Sequence, residues 1–295
     1  MMWVFLAVFS YFLNSVVAIA DKFLLTRRVK NPLVYAFYVG VMSSIVFVLW
    51  PFCFSFLSFG TTLTAFAGGA SFFLAIFFFY SALDRGGVVR ATSIIGGLSP
   101  VLLLSLSYFF LKEEMPVFWV LSFLFLIAGG VLLAFTQTKE NKSKFPVYSI
   151  CAAVFFAITF FTRKVVFLDS SFLNGFIWVQ AGVLFTILIV FLSPSFRILL
   201  NKSPLKLPNS LFLLVASNKT LSAVAFLVLN YAILLGPVAM INALQGVQYV
   251  FLFILTFIIY LWHPYFIKES FSRKSVFQKI IGIVLISLGV VFLVL

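Results

Sequence analysis

Ala82–Glu114 reads ALDRGGVVRATSIIGGLSPVLLLSLSYFFLKEE, and Ala232–Leu261 reads AILLGPVAMINALQGVQYVFLFILTFIIYL. In that alignment Ala82 meets Ala232, Gly86 meets Gly236, Val88 meets Val238, Gly96 meets Gly246, Leu102 meets Leu252 and Leu111 meets Leu261. Past a short insertion, Lys112-Glu113 is echoed by Lys268-Glu269. In each copy an apolar helix stops at a Gly turn. A second helix then opens with small and polar residues and runs through aliphatic and aromatic ones to a charged end. Each match is weak alone; their shared order marks an internal repeat.

The repeat lies in a chain that composition assigns to the membrane. Of 295 residues, 64% are hydrophobic and 9% charged, with a mean hydropathy of +1.22. Soluble domains run near ~45–50% apolar and ~25% charged. The formal charge of +13 does not signal nucleic acid, because the Lys and Arg cluster in short gaps between apolar runs, where they orient helices. Cys53 and Cys151 stand in apolar surroundings without a CxxC or His neighbour, which reads as two free thiols.

Five apolar stretches precede the polar linker Thr136–Lys144 (TQTKENKSK): Met2–Ala20, Leu33–Phe54, Thr62–Leu83, Val88–Leu111 and Val117–Phe135. Five follow it: Pro146–Val166, Phe172–Leu192, Leu211–Leu235, Val238–Trp262 and Phe277–Leu295. Each approaches the ~20 residues that a bilayer core requires. The expected fold is therefore an all-α integral membrane protein with ten transmembrane helices. Its halves, 1–136 and 145–295, correspond further through Asp21-Lys22 with Arg163-Lys164 and Gly130-Val131 with Gly289-Val290. An odd number of spans per half places the two halves in opposite orientation, as inverted five-helix repeats. Ala18-Ile19-Ala20 resembles a signal-peptidase site, but no Lys or Arg precedes it, and the first helix belongs to the repeat.

Orientation follows from the basic residues. Sixteen of the 20 Lys and Arg fall in the gaps after odd-numbered spans. Lys112, Arg163 and Lys164 are assigned to the alternate gaps and Lys219 to a span. Positive charge stays on the cytoplasmic side, so both termini are expected outside.

These residues resemble the drug/metabolite transporter superfamily, in particular its ten-helix EamA-type members. The motif appears here as Ala82, Gly86, Thr92-Ser93, Leu98-Ser99-Pro100 and Lys112-Glu113, with Lys22 near the end of the first helix. The second half departs from it: Val250 replaces the proline, and His263–Lys268 is inserted. The resemblance covers essentially the whole chain. It implies export or exchange of small polar metabolites, such as amino acids or related anionic or zwitterionic solutes, across the plasma (inner) membrane.

Candidate substrate-binding residues are the polar ones at depth. Lys219, in Ser217-Asn218-Lys219-Thr220, is the ninth residue of its stretch, ~12 Å along a helix and near the midplane. A lysine there costs several kcal/mol unless it faces water or a partner, so it suits a cation that receives a carboxylate or phosphate. The alternative is a lysine snorkelling to the membrane surface. Asn242, Gln245 and Tyr249 share a helical face, with Thr92 and Ser99 at matching heights in the first half. Interhelical hydrogen bonding is the plainer account of that stripe. Asn14, Tyr80 and Gln180 complete the set. Pro100 removes a backbone donor in mid-helix and predicts a kink.

The seven acids, Asp21, Asp84, Glu113, Glu114, Glu140, Asp169 and Glu269, all read as lying outside mid-span, so no carboxylate proton relay is expected. One histidine, His263, cannot build a metal cluster. No P-loop or soluble nucleotide domain is present. An enzyme with catalytic residues, a cofactor or a metal is therefore not expected. The expected partners are a small-molecule substrate and the lipid bilayer, with no nucleic acid, the chain acting as a monomer or homodimer. A flippase for lipid-linked sugar or phosphate is the alternative function, and a non-transporting membrane protein a further one.

Overall fold

A computed structural model describes residues 2–27, 31–86, 88–112, 116–134, 145–202, 209–262 and 273–294. Within these the chain is helical and no strand forms. The first half comprises α1 (Met2–Arg27), α2 (Pro32–Ser43), a 3-10 segment (Ser44–Leu49) leading to α3 (Trp50–Cys53), α4 (Phe59–Gly86), α5 (Val88–Leu106) with a π segment (Ser107–Leu111), and α6 (Val117–Ala134). The second comprises α7 (Phe145–Asp169), α8 (Phe172–Leu192), the short α9 (Pro194–Lys202), α10 (Asn209–Leu235), α11 (Val238–Ala243), α12 (Gln245–Trp262) and α13 (Arg273–Val294).

Among the described residues eight segments are long and apolar enough to cross a membrane, and two shorter apolar ones, Val117–Leu132 and Ile280–Leu293, lie in α6 and α13. The chain is thus a multi-pass membrane protein. Helices prevail because hydrocarbon offers backbone N–H and C=O groups no partner outside the chain. Large side chains such as Phe5, Phe52, Phe109 and Val117 accordingly stay exposed on the outer surface.

Helix pairing is specific. α1 packs along α10 and α4 along α7; α6 lies against α13, α5 against α7 and α11, and α1 also against α12. Small residues permit the tightest of these approaches. A Cβ on Gly69 of α4 would fall 2.5 Å from the carbonyl oxygen of Val179 in α8, and one on Gly129 of α6 would fall 2.7 Å from that of Gly282 in α13. Without a hydrophobic drive between helices in lipid, such close backbone packing supplies the association. Ser122 Oγ donates to the Gly289 carbonyl at 2.6 Å across the same α6–α13 seam.

Three sequence expectations change. Asp21 is not at a helix end: α1 continues through it to Arg27, and the residue is 7% exposed. Arg163 and Lys164 likewise lie inside α7, buried, rather than in a gap. Their helix continues because apolar Val165–Leu168 follows them and the charges find partners indoors. The Asn242–Gln245–Tyr249 stripe crosses a break, since Leu244 separates α11 from α12. There the Val247 amide donates to the Leu244 carbonyl at 2.9 Å, a tightened three-residue turn. Gly246 sits in this turn, where a Cβ would come 3.0 Å from the Leu126 carbonyl of α6. A glycine beside a local change of helical winding is an ordinary cause of a kink.

Candidate functional site

One cluster is built on Asp21. Its Oδ1 accepts from Lys219 Nζ at 2.7 Å, Asn218 Nδ2 at 2.7 Å and the Tyr35 hydroxyl at 3.0 Å. Lys219 and Asp21 side chains are 9% and 10% exposed. The lysine also lies 5.1 Å from the centre of the Tyr35 ring, and Tyr80 meets that ring edge-on at 4.6 Å. Four elements contribute: α1, the start of α2, the end of α4 and the first half of α10. Asn31 prepares the entry of α2 by capping it, its Oδ1 accepting from the amides of Leu33 and Val34. Two of the sequence candidates, Lys219 and Tyr80, converge here. The Lys219 partner Asp21, with Asn218 and with Tyr35 between Asp21 and Tyr80, was missed. The available signal was the apolar Phe23-Leu24-Leu25 after Lys22, which lets the helix run on.

A second cluster surrounds Arg163, which has no exposed surface. Its Nη1 donates to Asn230 Oδ1 at 3.1 Å. Its Cζ lies 4.3 Å from the Phe226 ring centre and 4.8 Å from that of Phe72. Its Nε and Nη2 have no hydrogen-bond partner. The neighbouring Lys164 is used differently: its Nζ donates to the carbonyls of Ile233, Leu234 and Gly236 at 2.9, 3.2 and 3.0 Å. These are the orphan carbonyls at the C-terminal end of α10, where the helix dipole also favours a cation. Sequence reasoning passed over both residues because adjacent charges ordinarily mark a helix end.

The remaining candidates tie helices together or lie buried between them. The Tyr249 hydroxyl donates to the Thr92 carbonyl, joining α12 to α5 across the halves. Its ring occupies the space that any side chain at Gly96 would need. Asn14 Nδ2 donates to Ser10 Oγ at 3.2 Å, and Ser10 Oγ donates to the Ala225 carbonyl of α10 at 2.7 Å. Ser99, Asn242 and Gln180 are buried, and Ser99 Oγ, Asn242 Oδ1 and Gln180 Oε1 have no hydrogen-bond partner. Gln245 is half-buried at the first turn of α12.

At the other end of the bundle lies an open hollow of about 450 Å³, lined chiefly by Ser55, Ser58, Thr61, Asp169, Ser171 and Asn174. α1 ends and α2 begins at the Asp21 end; α2 and the segments after it run 22 residues from Pro32 to Cys53. At ~1.5 Å per residue that length crosses the bilayer core, which puts the two features at opposite faces. Asp169 Oδ2 accepts from Thr61 Oγ1 at 3.1 Å, while Asn174 bonds the backbone and hydroxyl of Ser55. The hollow is polar and carries one carboxylate.

No family model and no curated protein matches the chain. Among solved structures 28 chains match. One of these, named only "Crystal structure of protein", is similar over 99% of this chain and 94% of its own, with a TM-score of 0.67 and 17% identity. At that identity the likeness shows a shared fold, and it establishes that this arrangement of helices occurs in crystals.

Proposed function

We propose that the chain is a secondary transporter of small polar metabolites, of the drug/metabolite transporter type, working at the plasma (inner) membrane. The carrying observation is the Asp21–Lys219 pair, which joins the first half of the chain to the second within the bundle interior. Ionised side chains inside a membrane bundle are costly, and their usual role is to mark a solute or ion path.

The proposed architecture is ten spans in two inverted halves, counting α6 and α13 with the eight longer ones. Helix pairing supports it. Exchanging the halves turns the α1–α10 contact into α7–α4 and α5–α7 into α11/α12–α1, while α6–α13 and α5–α11 map onto themselves. Inverted repeats place the solute between halves and work by rocking one against the other. In this scheme the Asp21–Lys219 pair with Tyr35 and Asn218 closes one face, and the hollow beside Asp169 is the entrance at the opposite face. Opening the closed face requires separating the pair, so breaking the Asp21–Lys219 contact is the step that couples to solute movement.

The test is flux into liposomes containing the purified chain. Radiolabelled alanine, glutamate and glucose 6-phosphate, offered against the same solutes unlabelled inside, should exchange faster than in protein-free liposomes for at least one of them. Lys219→Met should abolish that exchange while the chain still inserts. No exchange of any of the three, with correctly inserted protein, rejects the reading.

A further inference from the structure

The transport reading leaves open what the solute must carry, and Arg163 bears on that. We infer that Arg163 is the anion-binding residue of the transport site, receiving one planar carboxylate through its Nε–Nη2 edge. The inference deepens the transporter reading and rests on it for the solute's access.

Three observations carry it. First, the guanidinium is wholly buried, yet among the described residues no carboxylate pairs with it, and Asn230 is its one hydrogen-bonding side chain. A buried cation with neutral partners alone is a costly arrangement that a counter-ion would relieve. Second, the two unpartnered nitrogens are not scattered: Nε and Nη2 form one edge of the guanidinium. That edge presents two parallel N–H groups with the spacing of carboxylate oxygens. Third, the other sides are occupied. Nη1 is held by Asn230, and the Phe72 and Phe226 ring centres lie 5.2 Å from each other. With both rings within 5 Å of Cζ, they stand side by side against the guanidinium rather than sandwiching it. They exclude water from one side, and the paired edge is the part of the guanidinium without a hydrogen-bond partner.

The chemistry favours a monovalent carboxylate over a phosphate. Arg163 supplies one charge, and Lys164 spends its ammonium on the α10 carbonyls. A dianionic phosphate would bring a second charge against the apolar rings that the single guanidinium does not meet, which burial penalises. The rings also suit an apolar body next to the acid group.

Binding and flux are measured separately on the full chain. Thermal unfolding of the purified protein is followed with acetate, benzoate or L-phenylalanine, with acetamide, benzamide or phenylalanine amide, and with inorganic phosphate. At least one carboxylate should raise the unfolding temperature while its amide does not, since only a ligand of the native state stabilises it. Arg163→Gln should weaken that binding by about tenfold or more, and Arg163→Lys by less, because charge survives without the paired edge. The wild-type carboxylate–amide comparison needs no variant, so misfolding of Arg163→Gln does not blunt the test. Stabilisation by none of the carboxylates, by phosphate alone, or equally in Arg163→Gln overturns the assignment. Carboxylate binding without any flux would leave the site standing and reject the transporter reading. Flux that Arg163→Gln leaves unchanged would do the reverse.

Discussion

Removing Asp21 and Lys219 singly and together separates what the pair contributes from what it costs. At 2.7 Å the attraction of two unit charges is roughly 6 kcal/mol at an effective dielectric constant of about 20. Nearly complete burial charges several kcal/mol per ion against that gain, so the intact pair is close to neutral in net stability. The single variants expose the separate terms. Lys219→Met leaves the Asp21 carboxylate with only Asn218 and Tyr35, and should destabilise by about 3–5 kcal/mol. Asp21→Asn leaves Lys219 over the Tyr35 ring at 5.1 Å, where a cation–π contact of about 1–2 kcal/mol offsets part of the loss. The Asp21→Asn, Lys219→Met double variant has no buried charge to solvate and should unfold within about 1 kcal/mol of the native chain. Reversible unfolding in mixed micelles, read as a double-mutant cycle, should therefore give a coupling of about 3 kcal/mol or more. Single effects that add to within about 0.5 kcal/mol in the double variant would show that the two side chains do not interact, and would refute both the pair and its proposed closing role.

Gly69→Ala places a methyl against the backbone of α8 and should cost about 1–3 kcal/mol by forcing two helices apart. Gly60→Ala, with open space around it, should be nearly silent in the same unfolding assay, and equal effects would contradict the packing. Lys164→Met strips the carbonyls of Ile233, Leu234 and Gly236, at and just past the end of α10, of their donor and should destabilise by about 2–3 kcal/mol; a loss below about 0.5 kcal/mol would show that water replaces the ammonium. Moving Arg163 and Lys164 out of the loop tally sharpens the charge asymmetry, so a reporter fused after Leu295 should be active outside the cytoplasm, and cytoplasmic activity would invert the topology.

Much of the fold was legible without coordinates. Among the described residues eight of the ten stretches read as spans recur with ends shifted by a few residues, as at Pro32–Cys53, Pro146–Asp169 and Phe172–Leu192. Hydropathy works here because it is local: a segment of ~20 apolar residues must be helical in lipid whatever surrounds it. The site was only partly legible. Lys219 stood out because a charge in an apolar run is conspicuous in one dimension. Asp21, 198 positions away, became its partner only through the packing of α1 on α10. Arg163 looked like a helix end and proved to be the most enclosed cation among the described residues, because Asn230, Phe72 and Phe226 reach it from other helices. Helical periodicity alone also did not disclose the turn at Leu244 that lies between Asn242 and Gln245. The sequence determined which segments are buried in lipid; tertiary packing decided which charges meet, because ion-pair partners are chosen by contacts that no local pattern records.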